Sequence, residues 1–325
     1  MNDNILNFVN LASPKLGTRV VEFTDDFFGD VSRMLKDEDP IFIPDKYDNH
    51  GKWMDGWESR RKRTEGNDWS IIELGSSGEI EEIEIDTSHF TGNFPPYASL
   101  EGIYSKEKPK FDDDWTSILK KTELKGDKSQ KFKVKSELIN YVRFQIYPDG
   151  GIARLRPNGN VLYDFKKNKK DIYELSSLNL GGKIISYNNA HYGDVSALLS
   201  EGRGKTMGDG WETRRRRTPG NDWIIIKLAH TGLIKKIEID TAHFKGNFPD
   251  RASIQCALIN DTSTVKKLID NSVNWKEILP SQKLKADNIH TFSNLNESGP
   301  VNYVKLNIFP DGGVSRLRIL GSLTI

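Results

Sequence analysis

The sequence lacks the features of several specialised protein classes. It contains one cysteine, Cys256, so no disulfide can form within the chain, which fits a reducing compartment. No apolar run approaches the about 20 residues of a membrane span, and residues 1–17 lack the basic start and long apolar segment of a secretory signal. The 47 Lys and Arg residues nearly balance the 46 Asp and Glu residues, for a net charge of +1. We therefore expect a cytoplasmic protein without nucleic-acid or membrane partners.

The motifs of several enzyme classes are also missing. The sequence has no Walker loop, no Gly-x-Gly-x-x-Gly after a strand, no His-Glu-x-x-His and no cysteine cluster. These absences disfavour nucleotide-binding and dinucleotide-binding enzymes. No close histidine pair such as His-x-x-x-His occurs, so we assign no cofactor with certainty. A divalent metal stays open, with its ligands unknown.

What the sequence does contain is an internal duplication. Residues 55–69, DGWESRRKRTEGNDW, match residues 209–223, DGWETRRRRTPGNDW, at twelve of fifteen positions. Three further pairs of segments follow the same order: 17–35 with 182–199, 83–99 with 237–253, and 140–156 with 302–318. A period this long indicates tandem domains rather than a solenoid of short units. We predict a first repeat at 1–160, a linker at 161–180 and a second repeat at 181–325.

Each repeat is predicted to be mainly β. Between residues 82 and 87, Ile83, Ile85 and Thr87 alternate with acidic residues, and residues 141–147 alternate in the same way. The Pro-Asp-Gly-Gly segments that follow predict a tight turn and a returning strand. Asp30 and Asp194 are predicted to cap short helical segments. Long helices between strands are missing, which disfavours a parallel α/β fold, so we expect two tandem jelly-roll β-sandwich domains.

The basic motif supplies the first candidate site residues. They are Glu58, Arg60 and Arg61 in the first copy and Glu212, Arg214 and Arg215 in the second. Arginine forks bind planar carboxylates and ureido oxygens through paired hydrogen bonds, and a neighbouring carboxylate accepts or donates a proton. The alternative is a solvated basic strand with internal ion pairs. The flanking tryptophans and the Gly-Asn-Asp-Trp segment are better explained as core and turn.

Two histidines form the second candidate group. His89 and His243 are the histidines, among six, that coincide between the copies, and each follows the end of a predicted strand. A histidine there is a candidate general acid/base or metal ligand. The alternative is a ring that bonds its own loop backbone. Asn93 and Asn247, which follow, are expected mainly to form the turn.

The third candidate group is a pair of arginines two residues apart in each copy. Arg154 and Arg316, with Arg156 and Arg318, are predicted to lie on one strand face that suits an anionic ligand. The alternative is ion pairing with the acidic strand face, which includes Glu82 and Glu84.

Taken together, these segments resemble the allantoicase (allantoate amidinohydrolase) family over nearly the whole chain. DGWETRRRR, GNDW, TAHFKGNFP and PDGG followed by RLR carry the resemblance, and their counterparts occur in order in both copies. The resemblance implies two galactose-binding-like jelly rolls related by duplication. It also implies hydrolysis of allantoate to ureidoglycolate and urea, a step of allantoin degradation in purine metabolism, by a homo-oligomer.

On this resemblance the candidate residues receive roles. The carboxylate and ureido oxygens of allantoate would contact arginines, namely Arg60, Arg61, Arg214 and Arg215 with support from Arg154 and Arg316. Glu58 or Glu212 would share the acid/base work with His89 or His243. One alternative is a tandem module that binds a small anion or sugar without catalysis. Another is that one repeat catalyses and the other only assembles the oligomer.

Overall fold

The computed structural model describes residues 4–5, 8–260 and 264–324, and the chain divides into two compact units. One unit is Phe8–Tyr163, and the other combines Asp164–Ile325 with Met1–Asn7. Each unit is built mainly from antiparallel strands. The predicted fold class, two tandem jelly-roll β-sandwiches, is confirmed. The described helices are short, and none is long and apolar enough to cross a membrane.

The strands of the first unit follow a single antiparallel plan. β1 (Asn4–Ile5) belongs to the second unit. The first unit contains β2 (Val9–Asn10), β3 (Arg19–Phe23), β4 (Tyr47–Asp48), β5 (Gly51–Lys52), β6 (Trp57–Glu58), β7 (Asp68–Asp86), β8 (Tyr97–Ile103), β9 (Thr116–Glu123), β10 (Ser129–Lys133), β11 (Ile139–Tyr147), β12 (Gly151–Ile152) and β13 (Arg154–Val161). Its 3-10 helices are Pro14–Leu16 and Val31–Leu35.

The second unit repeats this plan. Its strands are β14 (Tyr173–Glu174), β15 (Lys183–Tyr187), β16 (Trp211–Glu212), β17 (Asp222–Asp240), β18 (Arg251–Ala257), β19 (Lys276–Lys283), β20 (Ile289–Phe292), β21 (Val301–Phe309), β22 (Gly313–Val314) and β23 (Arg316–Leu323), and β1 pairs with β15. The helices are α1 (Val265–Asn271) and the 3-10 helices Leu178–Leu180, Val195–Leu199 and Ser272–Asn274. β14 and Leu178–Leu180 lie in the range predicted as a linker.

One long strand in each unit is shared by two layers. The first half of β7 pairs with β3 and β11, and β8 and β9 extend this layer in the order β3-β7-β11-β8-β9. The second half of β7 pairs with β10 and β13, and β2 extends that layer. β17 joins its partners in the same way. The predicted returning strand β13 therefore pairs with β7 rather than with β11, because the Pro-Asp-Gly-Gly turn leads from one layer to the other.

The predicted core faces of the strands are confirmed. Ile83 and Ile85 of β7 are fully buried, as are Val142, Phe144 and Ile146 of β11. Burial of such a stripe from each layer removes the apolar faces from water, which is the main stabilising contribution in a sandwich.

The predicted helix caps are also confirmed. Asp30 accepts a hydrogen bond from the backbone of Ser32 at 2.8 Å, and Asp194 accepts one from the backbone of Ser196 at 3.0 Å. Each cap satisfies an N–H group at the start of a 3-10 helix. The helix then leads the chain towards the basic motif of its repeat.

Candidate functional site

The basic motif is anchored in each repeat by its tryptophan. Trp57 and Trp211 are fully buried, and their indole N–H groups donate to the carbonyls of Asp25 at 2.7 Å and Asn189 at 2.9 Å. β6 pairs with β12, and β16 pairs with β22. The predicted core role of these tryptophans is confirmed. Since β12 and β22 follow the Pro-Asp-Gly-Gly turns, the motif and the turn form one rigid wall.

The glutamate that follows the tryptophan is held by an asparagine. Asn93 Nδ2 donates to Glu58 Oε1 at 2.6 Å, and Asn247 Nδ2 donates to Glu212 Oε1 in the second repeat. Burial raises the pKa of Glu58 above its ordinary value, although the hydrogen bond from Asn93 acts in the opposite direction. Asn93 and Asn247 were expected mainly to form turns, and the contact with glutamate adds a second role. Their presence in both copies is the signal that pointed to them.

A cleft opens beside this glutamate in each repeat. The first cleft has a volume of about 460 Å³, and its polar lining includes Glu58, Arg61, Lys62, Asn93 and Asp149. The second cleft has a volume of about 780 Å³, and its polar lining includes His191, Glu212, Arg214, Arg215, Asn247 and Asp311. Both clefts are large enough for a small organic molecule, and each combines apolar surface with charged and amide groups.

The Pro-Asp-Gly-Gly turn forms one side of each cleft. Asp149 and Asp311 each accept a hydrogen bond at 2.7 Å from a backbone N–H of the basic motif, at Lys62 and Arg216 respectively. The next residue is glycine with φ near +138° in both repeats, and a Cβ there would lie 2.7 Å from the Asn93 carbonyl in the first. Only glycine adopts this backbone geometry readily and lets the turn lie this close to the backbone of Asn93.

The arginines of the basic motif divide into paired and unpaired groups. Arg61 and Arg215 are exposed and have no hydrogen bond or ion pair with any other residue that the structure describes. Arg60 does not line the first cleft, because its guanidinium pairs with Asp25 at 2.6 Å. Arg214 lines the second cleft and donates through Nε to Nδ1 of His191 at 2.9 Å. The structure thus brings Glu58 together with Arg61, and Glu212 together with Arg214 and Arg215.

His89 and His243 lie at the tight turns that follow β7 and β17, and they do not line either cleft. Both residues have left-handed backbone angles, φ 71° and φ 68°, which are uncommon for residues other than glycine. Their Nε2 atoms lie 3.3 Å from the carbonyl of Pro40 and 2.7 Å from that of Gly204. The rings therefore contact the backbone of another loop, 49 and 39 residues away in sequence, and not that of their own loop. The acid/base role stays a prediction.

Arg154 and Arg316 are buried and their donor groups are engaged. Arg154 bonds the side chain of Asp55 at 2.6 Å and the backbone carbonyls of Asp55 and Glu38 at 2.7 Å. Arg316 bonds Asp209 in the same manner. Neither lines a cleft. These contacts tie the start of the basic motif to the strands β13 and β23, and the ligand-binding role stays a prediction.

The neighbouring arginines also face carboxylates. Arg156 forms an ion pair with Glu84 at 3.0 Å, and Arg318 forms one with Glu174 at 2.6 Å. The ion pair with Glu84 is the alternative that the sequence offered for this strand face.

Among residues 8–260 and 264–324, no three His, Cys, Asp or Glu side chains are grouped so as to hold a metal ion.

The fold and the clefts define a duplicated β-sandwich protein with an arginine-lined, small-molecule cleft in each repeat. The family model described as the allantoicase repeat matches residues 9–162 and 173–324, which together cover both units. The chain belongs to the allantoicase family.

Individual relatives agree with this assignment. The chain is 49% identical over 320 residues to "Probable allantoicase 1" of Burkholderia mallei (strain ATCC 23344), with 97% of this chain and 95% of the relative covered. It is 48% identical over 318 residues to "Probable allantoicase" of Rhizobium meliloti (strain 1021), with coverage of 96% and 93%. The crystal structure of allantoicase from Saccharomyces cerevisiae superposes with a TM-score of 0.83 at 34% identity, covering 97% and 93% of the two chains.

Proposed function

We propose that this protein is an allantoicase, a hydrolase of purine degradation that converts allantoate and water to ureidoglycolate and urea. The family membership of the whole chain supports the activity. We assign the activity to the clefts, because in each of them a glutamate that is hydrogen-bonded by an asparagine lies beside an unpaired arginine.

The substrate fits the chemistry of such a cleft. Allantoate carries one carboxylate and two ureido groups on a single carbon, so it offers planar oxygen pairs that arginine forks bind through two hydrogen bonds. We assign this binding to the arginines of the cleft, Arg61 in the first repeat or Arg214 and Arg215 in the second. The side chains of Arg154 and Arg316 support the wall from the buried side of the motif, through Asp55 and Asp209.

The reaction breaks an sp3 carbon–nitrogen bond, so the leaving urea nitrogen needs a proton. We propose that the glutamic acid of the cleft, Glu58 or Glu212, donates this proton while the bonding electron pair leaves with urea. The lone pair on the nitrogen of the remaining ureido group supports the carbon as an imine-like intermediate. Water then adds to that carbon and gives its proton to the carboxylate, which restores the acid. Burial that raises the pKa of Glu58 favours the proton-bearing form at this position.

His89 and His243 are proposed as supporting groups. Their rings contact the carbonyls of Pro40 and Gly204, in the loops that lead into the basic motifs. Any proton transfer by these histidines would have to reach the cleft from the adjoining turn.

We propose that the protein is cytoplasmic and forms a homo-oligomer. Size-exclusion chromatography with light scattering measures the molar mass of the assembly and tests the second part.

The proton transfers proposed for Glu58 or Glu212 require no divalent metal. Dialysis against a chelator, with activity measured before and after, tests this. A loss of activity that an added divalent cation reverses would show that a metal takes part.

The activity test is direct. Purified protein is incubated with allantoate, and urea and ureidoglycolate are measured together, with equal amounts of both expected. A Glu58→Gln/Glu212→Gln double variant is the matched control and should release neither product above background. A folded wild-type protein that binds allantoate in calorimetry without forming product would instead support the non-catalytic binding module.

A further inference from the structure

We propose that the second cleft is the catalytic one and that the first repeat lacks an equivalent anchor for the substrate carboxylate, because the carboxylate of Asp25 engages Arg60. In the second cleft Arg214 is the proposed anchor for the carboxylate of the ureide, and His191 is the positioning residue that holds Arg214. The inference rests on the proposed allantoicase function and decides between the two repeats.

In the first repeat, the guanidinium of Arg60 is paired with a carboxylate of the same repeat, that of Asp25. Arg60 donates to Asp25 Oδ2 through Nε at 2.7 Å and through NH2 at 2.6 Å, and the backbone N–H of Arg60 donates to Asp25 Oδ1 at 2.8 Å. Burial alone would raise the pKa of Asp25, but the hydrogen bonds from Arg60 outweigh it and hold the pKa below its ordinary value. The Phe27 ring covers the same guanidinium at 5.2 Å. Asp25 thus occupies Arg60 as a substrate carboxylate would.

The second repeat replaces both of these neighbours. The residues at the positions of Asp25 and Phe27 are Asn189 and His191. Asn189 carries no charge, and its side-chain amide contacts Asp222 at 3.4 Å instead of an arginine. The negative partner of the arginine is therefore absent from this position, and a neutral acceptor has taken its place beside the guanidinium.

His191 orients Arg214 without neutralising it. An arginine N–H can only donate, so Nδ1 of His191 accepts and the ring in this contact is neutral, with its hydrogen on Nε2. This bond uses only Nε of Arg214. Its two terminal nitrogens have no hydrogen-bond or ion-pair partner among the residues that the structure describes. They form a free fork of the kind that binds a carboxylate through two parallel bonds.

The fork lies beside the proposed acid. The backbone N–H of His191 donates to the carbonyl of Glu212 at 2.7 Å, and both residues line the second cleft with Arg214 and Arg215. The second cleft therefore presents an acid, a free fork and a second unpaired arginine. The first cleft presents an acid and one unpaired arginine, Arg61, and Arg60 lies outside it.

The test compares matched variants in the two repeats, Arg214→Gln and Arg60→Gln. Removal of a charge-assisted, two-bond contact should raise the KM for allantoate about 10-fold to 100-fold in Arg214→Gln. Arg60→Gln should change kcat/KM by less than about twofold, because Arg60 is engaged by Asp25. Equal losses in the two variants, or a larger loss in Arg60→Gln, would overturn the proposal. Circular dichroism establishes that both variants are folded, and Arg214→Lys, which keeps the charge, provides a second measurement if Arg214→Gln does not fold.

His191 has its own test, since it acts through Arg214. His191→Phe introduces the residue of the first repeat and should raise KM about tenfold with a much smaller change in kcat. His191→Asn keeps an acceptor for Nε of Arg214 and should recover most of that loss. If both variants lower thermal stability and leave KM unchanged, His191 is merely structural and the positioning role fails. Wild-type protein without turnover would contradict the proposed function, whereas turnover that depends on Arg60 rather than Arg214 would contradict only this inference.

Discussion

The first and second clefts have the same walls and different arginine partners. Both contain the tryptophan anchor, the glutamate–asparagine bond and the turn that holds the basic motif. In the first repeat, however, Asp25 engages Arg60, and in the second repeat His191 leaves most of Arg214 free. The duplicated scaffold is thus retained almost intact, while two differing residues at its mouth, Asn189 and His191, change the contacts of the arginine.

Residues retained in both copies are therefore not all evidence of two active sites. Arg154 and Arg316 each tie the basic motif of their repeat to a strand through an aspartate, which is buried for Asp55 and partly exposed for Asp209. The wall positions serve the shared fold, and the positions that differ change which arginine has a carboxylate partner. Substitutions at four places test this difference between the repeats.

The largest effect is expected at the proposed acid. Glu212→Gln keeps the contact with Asn247 but cannot donate the carboxyl proton, so kcat should fall about 10²-fold to 10⁴-fold. Glu58→Gln should lose less than tenfold. The rate of urea release at saturating allantoate measures both. A greater loss for Glu58→Gln than for Glu212→Gln would reverse the assignment of the two clefts.

The next effect concerns stability. Arg154→Met leaves Asp55, whose side chain is 4% exposed, with Lys36 as its remaining cationic partner, and should cost about 2 kcal/mol of unfolding free energy. Arg316→Met should cost about 1 kcal/mol, because the Asp209 side chain is 25% exposed and water compensates it. Urea unfolding followed by circular dichroism measures the difference. Identical costs would show that exposure of the carboxylate does not govern the pair.

A smaller loss is expected from the two loop histidines together. Asparagine tolerates the left-handed backbone of His89 and His243, so the His89→Asn/His243→Asn double variant should keep its turns. It loses the ring contacts with Pro40 and Gly204, and turnover should fall about tenfold. Steady-state kinetics across pH measures the loss and its form. Wild-type turnover in the folded double variant would remove both histidines from the function.

The smallest effect is a pH-dependent gain in stability for Glu58→Gln. Burial raises the folded-state pKa of Glu58, so the folded protein pays no penalty at a pH where this carboxyl is protonated in both states. The free energy of unfolding of the wild-type protein therefore falls as the pH rises through this pKa. Glu58→Gln should therefore melt about 2 °C higher at pH 7. The difference should disappear as the pH falls below the ordinary range of glutamic acid. Scanning calorimetry at several pH values measures it, and a constant difference would exclude titration of Glu58 as its cause.

Much of the fold could be predicted from local patterns. The alternation around Ile83 and Phe144 placed two core strands, the aspartates placed the helix caps, and the repeated segments placed the duplication. Strand pairing was less accessible. β7 joins two layers through residues far apart in sequence, so the turn after β11 leads to β13 in the other layer rather than to a hairpin. Local propensity does not specify such long-range partners.

The candidate site was predicted only in part. The motif pointed to Glu58, Glu212 and the exposed arginines because it occurs twice with the same chemistry. It did not point to His191, since the first copy has Phe27 at that position and the partner of His191, Arg214, lies 23 residues along the chain. Nor did it distinguish Arg60 from Arg214, which look equivalent until their neighbours are known.

The duplication, the β class and the family could all be read from the amino-acid sequence. These properties depend on periodicity and on motifs, which are local and are written twice. The fold was needed to show that Arg60 is engaged by Asp25 and that Arg214 lines a cleft with Glu212. Pairing of charges depends on distances between segments that the fold brings together, and a separation of a few ångströms decides whether a guanidinium is occupied or open.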